Sequence, residues 1–98
     1  MKNNMLVMEQ DGSVITYYFS EKKDKPNLKQ LQKMVGGYIQ VVELPEIEKQ
    51  IVMDEEGKLK EKPVNPDVTM IAHEHKAIFP TDTINGDAVI LSGEARLD

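Results

Sequence analysis

The chain has 98 residues, a net charge of −5 and no cysteine. That length holds one ordinary domain. The acidic balance, with a pI near 5.0, disfavours a broad duplex-DNA or anionic-membrane surface, and the lack of cysteine rules out disulfides and thiolate metal sites.

Met5-Leu6-Val7-Met8, the Asp11-Gly12 pair and Val14-Ile15-Thr16-Tyr17-Tyr18-Phe19 read as a β-hairpin, because Gly takes a positive φ cheaply at the turn. A charged stretch over residues 21–25 follows, and Pro26 is placed as the first residue of a helix. Leu28, Leu31, Met34 and Val35 fall on one helical face, and Gly36-Gly37 stops that helix. Residues 38–44 and 50–54 read as strands, with a polar turn at Glu55-Glu56-Gly57-Lys58. A return strand is expected over Lys58–Lys62, where Lys58, Lys60 and Lys62 alternate and would line one face. Asn65-Pro66-Asp67 starts a second helix, with Asn as cap and Asp complementing the macrodipole. Val68, Ile71, Ala72 and His75 lie at helical spacing within it. Asn85-Gly86-Asp87 turns into a last strand over Ala88–Leu91.

The order β-β-α-β-β-α-β implies a single α+β domain over residues 1–98. Its expected form is two-layer, a mostly antiparallel sheet with two short helices on one face. The start, Met1-Lys2-Asn3-Asn4 and a short apolar run, does not fit a signal peptide, and no apolar stretch approaches the roughly 20 residues of a membrane span. A cytoplasmic location is the expectation.

Motifs with chemistry are few. His73-Glu74-His75 suggests a metal site, but residues two apart on a helix point to nearly opposite sides and no third ligand has diagnostic spacing. Polar helix surface is the plainer reading, and no metal is expected. Asp54, Glu55 and Glu56 neighbour one another at a turn, where nothing splits their pKa values as acid–base catalysis requires. No phosphate-binding glycine loop or nucleophile elbow is present. The expectation is a binding protein, not an enzyme, with no cofactor. Gly36, Gly37 and Tyr38 could supply backbone donors and a stacking ring, although a helix C-terminus repels anions. Asn65 and its helix N-terminus have the opposite electrostatics. Lys22, Lys23 and Lys25, or Lys58, Lys60 and Lys62, could meet phosphates, but each set reads more simply as a solvated face.

The run Leu28-x-x-Leu31-Gln32-x-x-Val35-Gly36-Gly37-Tyr38-Ile39-Gln40-x-Val42 resembles the signature of a family of small phage-borne and prophage-borne proteins of unknown function. Glu56-Gly57-Lys58-Leu59, Asn65-Pro66 and Ile84-x-Gly86-Asp87-x-Val89 fit the same pattern, so the likeness spans roughly Leu28 to Gly93. The resemblance implies an accessory anti-defence protein, akin to the anti-CBASS sponges, which oligomerise and sequester cyclic nucleotide signals of bacterial immunity without degrading them. Under that reading the partner is a cyclic dinucleotide, the protein is a homo-oligomer, and Gly36, Gly37, Tyr38, Asn65 and Thr69 contact the ligand. The alternative is a phage protein that inhibits a host protein through an acidic, DNA-mimicking surface.

Overall fold

A computed structural model of the chain describes residues 3–98; Met1-Lys2, part of the start compared above with a signal peptide, lies outside them. Five antiparallel strands form one sheet: β1 (Asn4–Met8), β2 (Val14–Tyr18), β3 (Ile39–Leu44), β4 (Lys49–Asp54) and β5 (Ala88–Ser92). Their spatial order is β2-β1-β5-β4-β3. Two helices complete the fold, α1 (Leu28–Val35) and α2 (Pro66–Glu74). The α+β class and the chain order are those expected from the sequence.

Layering departs from the expectation. Successive residues of a strand point to opposite faces, and here both faces are covered. Ile51, Met53, Ala88 and Ile90 pack with Val68 and Ala72 of α2. Val52, Val89 and Leu91 pack with Leu31 and Val35 of α1. The helices therefore lie on opposite sides of the sheet, not together on one face in two layers. This is why β5 and nearly all of β4 are buried at every position. A strand enclosed on both faces reads as a continuous apolar run, and Ala88-Val89-Ile90-Leu91 is such a run.

Helix α1 begins at Leu28, two residues later than expected. Asn27 caps it: its side chain accepts from the Gln30 amide at 2.9 Å, and its own amide donates to Gln30 Oε1 at 2.9 Å. This reciprocal pair satisfies two otherwise orphaned donors, and Pro26 sits just outside, buried. Only Leu31 and Val35 of α1 are fully enclosed. Each such side chain contributes roughly 1.5–3 kcal/mol by burial, so Leu31→Ala is the single change most damaging to this helix.

Residues 58–62 do not form the expected return strand. They wind through successive turns, with Lys60 N bonding Glu56 O at 3.0 Å and Lys62 N bonding Gly57 O at 3.0 Å. That coiling breaks the period-two alternation and sends the three lysines to different places.

Candidate functional site

The sequence places Gly36-Gly37-Tyr38 at the end of α1, and the structure shows what that junction does. Gly36 adopts a left-handed φ of 81°, the usual helix-ending conformation. The Gly36 and Gly37 amides both donate to Gln32 O, at 2.8 and 3.1 Å. They are therefore occupied and not presented to a ligand. Lys62 Nζ donates to Val35 O at 2.8 Å and Lys60 Nζ to Gly36 O at 3.1 Å. Two cations thus meet the negative end of the helix, where they are favoured.

Both lysines also reach Asp54 Oδ2, each at 2.8 Å, and Asp54 Oδ1 accepts from the Glu56 amide at 2.9 Å. The Asp54 side chain has no solvent exposure. Burial alone would raise its pKa, but the hydrogen bonds from Lys60, Lys62 and the Glu56 amide outweigh it and hold the carboxyl at about 2. Lys60 is held above the ordinary lysine range by the same bond. Gly37 fits this cluster because it lacks a side chain: a Cβ there would lie 2.5 Å from Lys60 Nζ and 2.8 Å from Asp54 Oδ1. Tyr38 carries the one open side chain of this trio, 69% exposed, beside a shallow recess of about 280 Å³ shared with Gln32, Glu56 and Lys60.

Asn65 and Thr69 lie on the other side of the sheet and are enclosed. Asn65 Nδ2 donates to Met8 O at 2.9 Å and to Gly86 O at 3.0 Å. Its backbone amide donates to Ile84 O at 2.8 Å. The Thr69 hydroxyl accepts from the Ile84 amide at 2.9 Å and donates to Ile84 O at 3.3 Å. These side chains pin α2 to the segment that leads into β5. The expectation that they join Gly36, Gly37 and Tyr38 at one ligand does not hold within a protomer, because the sheet separates the two groups and the polar atoms already have partners.

One concavity was missed by the sequence reading. A cleft of about 700 Å³ opens on the α2 side of the sheet, lined by Gln40, Val42, His73, Lys76, Phe79 and Asp82 among others. A second recess of about 340 Å³, which includes Lys58 and Leu59, shares Gln40, Val42 and Asp82 with it. The edge strand β3 forms one wall, and the irregular segment between α2 and β5 forms the other. Phe79 is 79% exposed and Leu59 81%, so a large apolar side chain stands open at the cleft and another at the recess beside it. Among the polar groups, Lys58 pairs with the Asp82 carboxylate, which also accepts from the Thr83 amide at 2.8 Å. His73 Nε2 lies 2.8 Å from Asp82 O. A carbonyl can only accept, so Nε2 carries the hydrogen.

Lys76 supplies the cleft's most telling backbone observation. It follows α2 with φ of 53°, the left-handed region that glycine or asparagine usually fills after a helix. A lysine there is strained by roughly 1 kcal/mol, and such strain recurs where a side chain has work to do. Together these groups offer an aromatic face, the Lys76 ammonium, a side-chain amide and an imidazole around one opening, with the Asp82-paired Lys58 in the adjoining recess. The signal available in the sequence was the run Lys76-Ala77-Ile78-Phe79-Pro80, a large aromatic and a cation held in a loop.

The His73-Glu74-His75 motif divides as helical geometry requires. His73 lines the cleft, whereas His75 Nδ1 points to Glu46 Oε1 at 3.8 Å. No group of three metal-ligating side chains gathers among the described residues. The lysine sets also divide. Lys60 and Lys62 serve Asp54, Lys58 reaches the opposite face, Lys23 pairs with Glu21 at 3.2 Å, and Lys25 bonds Arg96 O at 2.9 Å. No helix among the described residues is long and apolar enough to cross a membrane.

A protein-family model described as "Domain of unknown function (DUF3846)" matches residues 1–96. No curated protein and no solved structure matches the chain.

Proposed function

The chain belongs to the DUF3846 family, and we propose that it binds and sequesters a small nucleotide signal, a cyclic dinucleotide, in the cleft on the α2 side of the sheet. The observation that carries this reading is the joint placement of Phe79 and Lys76 on one cleft of about 700 Å³. That size falls within the range of small-molecule sites. An open aromatic ring stacks on a base, and the nearby Lys76 ammonium meets phosphate. Gln40 can hydrogen-bond a base edge. Tight binding without turnover needs only these groups, and retention of an intact ligand is part of the proposal. A role in phage anti-defence, acting in the host cytoplasm, is what the sequence resemblance adds.

Thermal denaturation against a panel of cyclic di- and trinucleotides tests the reading, with each ligand recovered and identified afterwards. One ligand is expected to raise the melting temperature and return unchanged, because binding to the folded state stabilises it. Phe79→Ala is expected to weaken that ligand about tenfold or more, the ordinary contribution of base stacking. No shift with any nucleotide overturns the proposal, and recovery of a cleaved ligand overturns its non-catalytic part.

A second reading, inhibition of a host protein through an acidic surface, draws on one end of the sheet. Glu48 O accepts from the Gly93 amide at 3.1 Å, which brings the exposed Glu46 and Glu48 beside Glu94. Glu43 and Glu94 border one further concavity there. Under this reading the nucleotide panel gives no shift, and charge reversal at Glu46 and Glu48 abolishes complex formation with the host target.

A further inference from the structure

Strand β2 is one edge of the sheet, paired only with β1. It is exposed at all five positions. Val14, Ile15, Tyr17 and Tyr18 are 44–70% exposed, and no charged residue or proline occurs between Gly12 and Ser20. Edges left free in solution are normally guarded by charge, proline, a bulge or a covering segment. The opposite edge, β3, carries Glu43, which accepts from Gln50 at 3.0 Å.

The hydrogen-bond phase of β2 is fixed at both ends. Phe19 N donates to Asn3 O at 2.9 Å, and Glu9 N donates to Ser13 O at 2.8 Å. With the β1–β2 register of Met5 opposite Tyr17 and Val7 opposite Ile15, the odd-numbered residues of β2 turn their backbone groups toward β1. Alternation in an antiparallel ladder then directs the N–H and C=O of Val14, Thr16 and Tyr18 outward.

From this we propose that β2 pairs antiparallel with β2 of a second copy of the chain, about a two-fold axis at Thr16. In that register Thr16 faces Thr16 of the second copy, and Val14 and Tyr18 face each other across the axis. All six outward backbone groups then find partners. Side chains agree with the backbone: Val14 meets Tyr18 on one face and Ile15 meets Tyr17 on the other, β-branched against aromatic, a favourable cross-strand pairing. An isologous contact needs a self-complementary patch. Residues 14–18 provide one: without charges, an identical strand meets no like-charge repulsion, and the two-fold register sets a β-branched residue against a tyrosine in both pairs beside the axis. The two sheets become one of ten strands. The ligand cleft borders β3 at the far edge, so this proposal stands apart from the ligand reading.

Analytical ultracentrifugation over a concentration series tests the assembly, together with amide hydrogen exchange. The wild type is expected to dimerise, and the amides of Val14, Thr16 and Tyr18 to gain protection as concentration rises. Amides of Ile15 and Tyr17 are expected to be protected at every concentration. Thr16→Lys places two cations face to face at the axis. Thr16→Pro removes an outward N–H, which a sheet edge tolerates. Whichever variant keeps the wild-type circular dichroism should be monomeric. A wild type monomeric up to roughly 1 mM, the weak end of the affinity scale, overturns the proposal and leaves the edge to a strand from another protein. A folded Thr16→Lys variant that dimerises like the wild type, or exchange at Val14, Thr16 and Tyr18 that ignores concentration, overturns it equally.

Discussion

Lys60 Nζ lies 2.8 Å from Asp54 Oδ2 and 3.1 Å from Gly36 O, so one ammonium group joins the end of β4 to the end of α1. Lys62 repeats the arrangement through Val35 O at 2.8 Å. A buried carboxylate thereby holds two cations against a helix C-terminus, and the stability of that junction depends on the charge of Asp54.

The pH dependence follows. With its pKa lowered from 3.8 to about 2, Asp54 adds stability that is fully present above pH 4 and is lost as pH falls through 2. At one pKa unit per 1.36 kcal/mol, the contribution is on the order of 2 kcal/mol. Urea denaturation should show Asp54→Asn less stable than wild type by about that amount at neutral pH, with the gap closing between pH 4 and 2. A gap that persists unchanged below pH 2 would mean that packing, not charge, sets the cost.

Gly37→Ala should destabilise the fold by roughly 1–3 kcal/mol, the usual cost of overpacking. The clash is with Lys60 Nζ and Asp54 Oδ1, so Lys60→Ala in the same chain should recover part of the loss. Strictly additive effects in the double-mutant cycle would show that the two sites do not touch.

Asn65→Ala and Thr69→Val should each lower stability by about 1–3 kcal/mol, because buried backbone groups lose their partners. Ile84 N is the orphan in the second case. Ligand affinity measured by calorimetry well below the melting temperature should stay at the wild-type value for both. A selective loss of affinity in a folded variant would return these residues to the ligand site.

Lys76→Gly should separate stability from binding. Relief of the left-handed backbone is expected to raise stability by up to about 1 kcal/mol, while loss of the ammonium group weakens the nucleotide. Equal affinity in the glycine variant would remove Lys76 from the cleft's chemistry.

Much of the fold was legible locally. Asn65-Pro66-Asp67 announces a helix start, Gly36 announces a helix end, and Asp11-Gly12 announces a hairpin, because each depends on backbone preferences within a few residues. The run Leu31 to Gly37 was also legible as a pattern, and its meaning is structural: Leu31 and Val35 are enclosed, Gly36 ends the helix, and Gly37 admits the Asp54–Lys60 pair. Lys58–Lys62 misled because alternation suggests a strand, while the turn bonds to Glu56 and Gly57 are invisible in composition. The cleft on the α2 side was not legible, since Gln40 and Phe79 are far apart in sequence and line one opening only once β3 and the segment after α2 are brought together.

By itself, then, the sequence determined the element order, the N-cap of α2, the glycine end of α1, the hairpin and the aliphatic composition of the core, since these follow from short-range geometry and hydrophobic period. Only the tertiary structure decided that α1 and α2 lie on opposite faces, that Asn65 and Thr69 are sealed from Tyr38 by the sheet, and that Lys60 and Lys62 converge on Asp54. Strand pairing brings residues from distant segments together, and side-chain alternation then assigns each to one face or the other. Neither step is encoded in any stretch of a few residues.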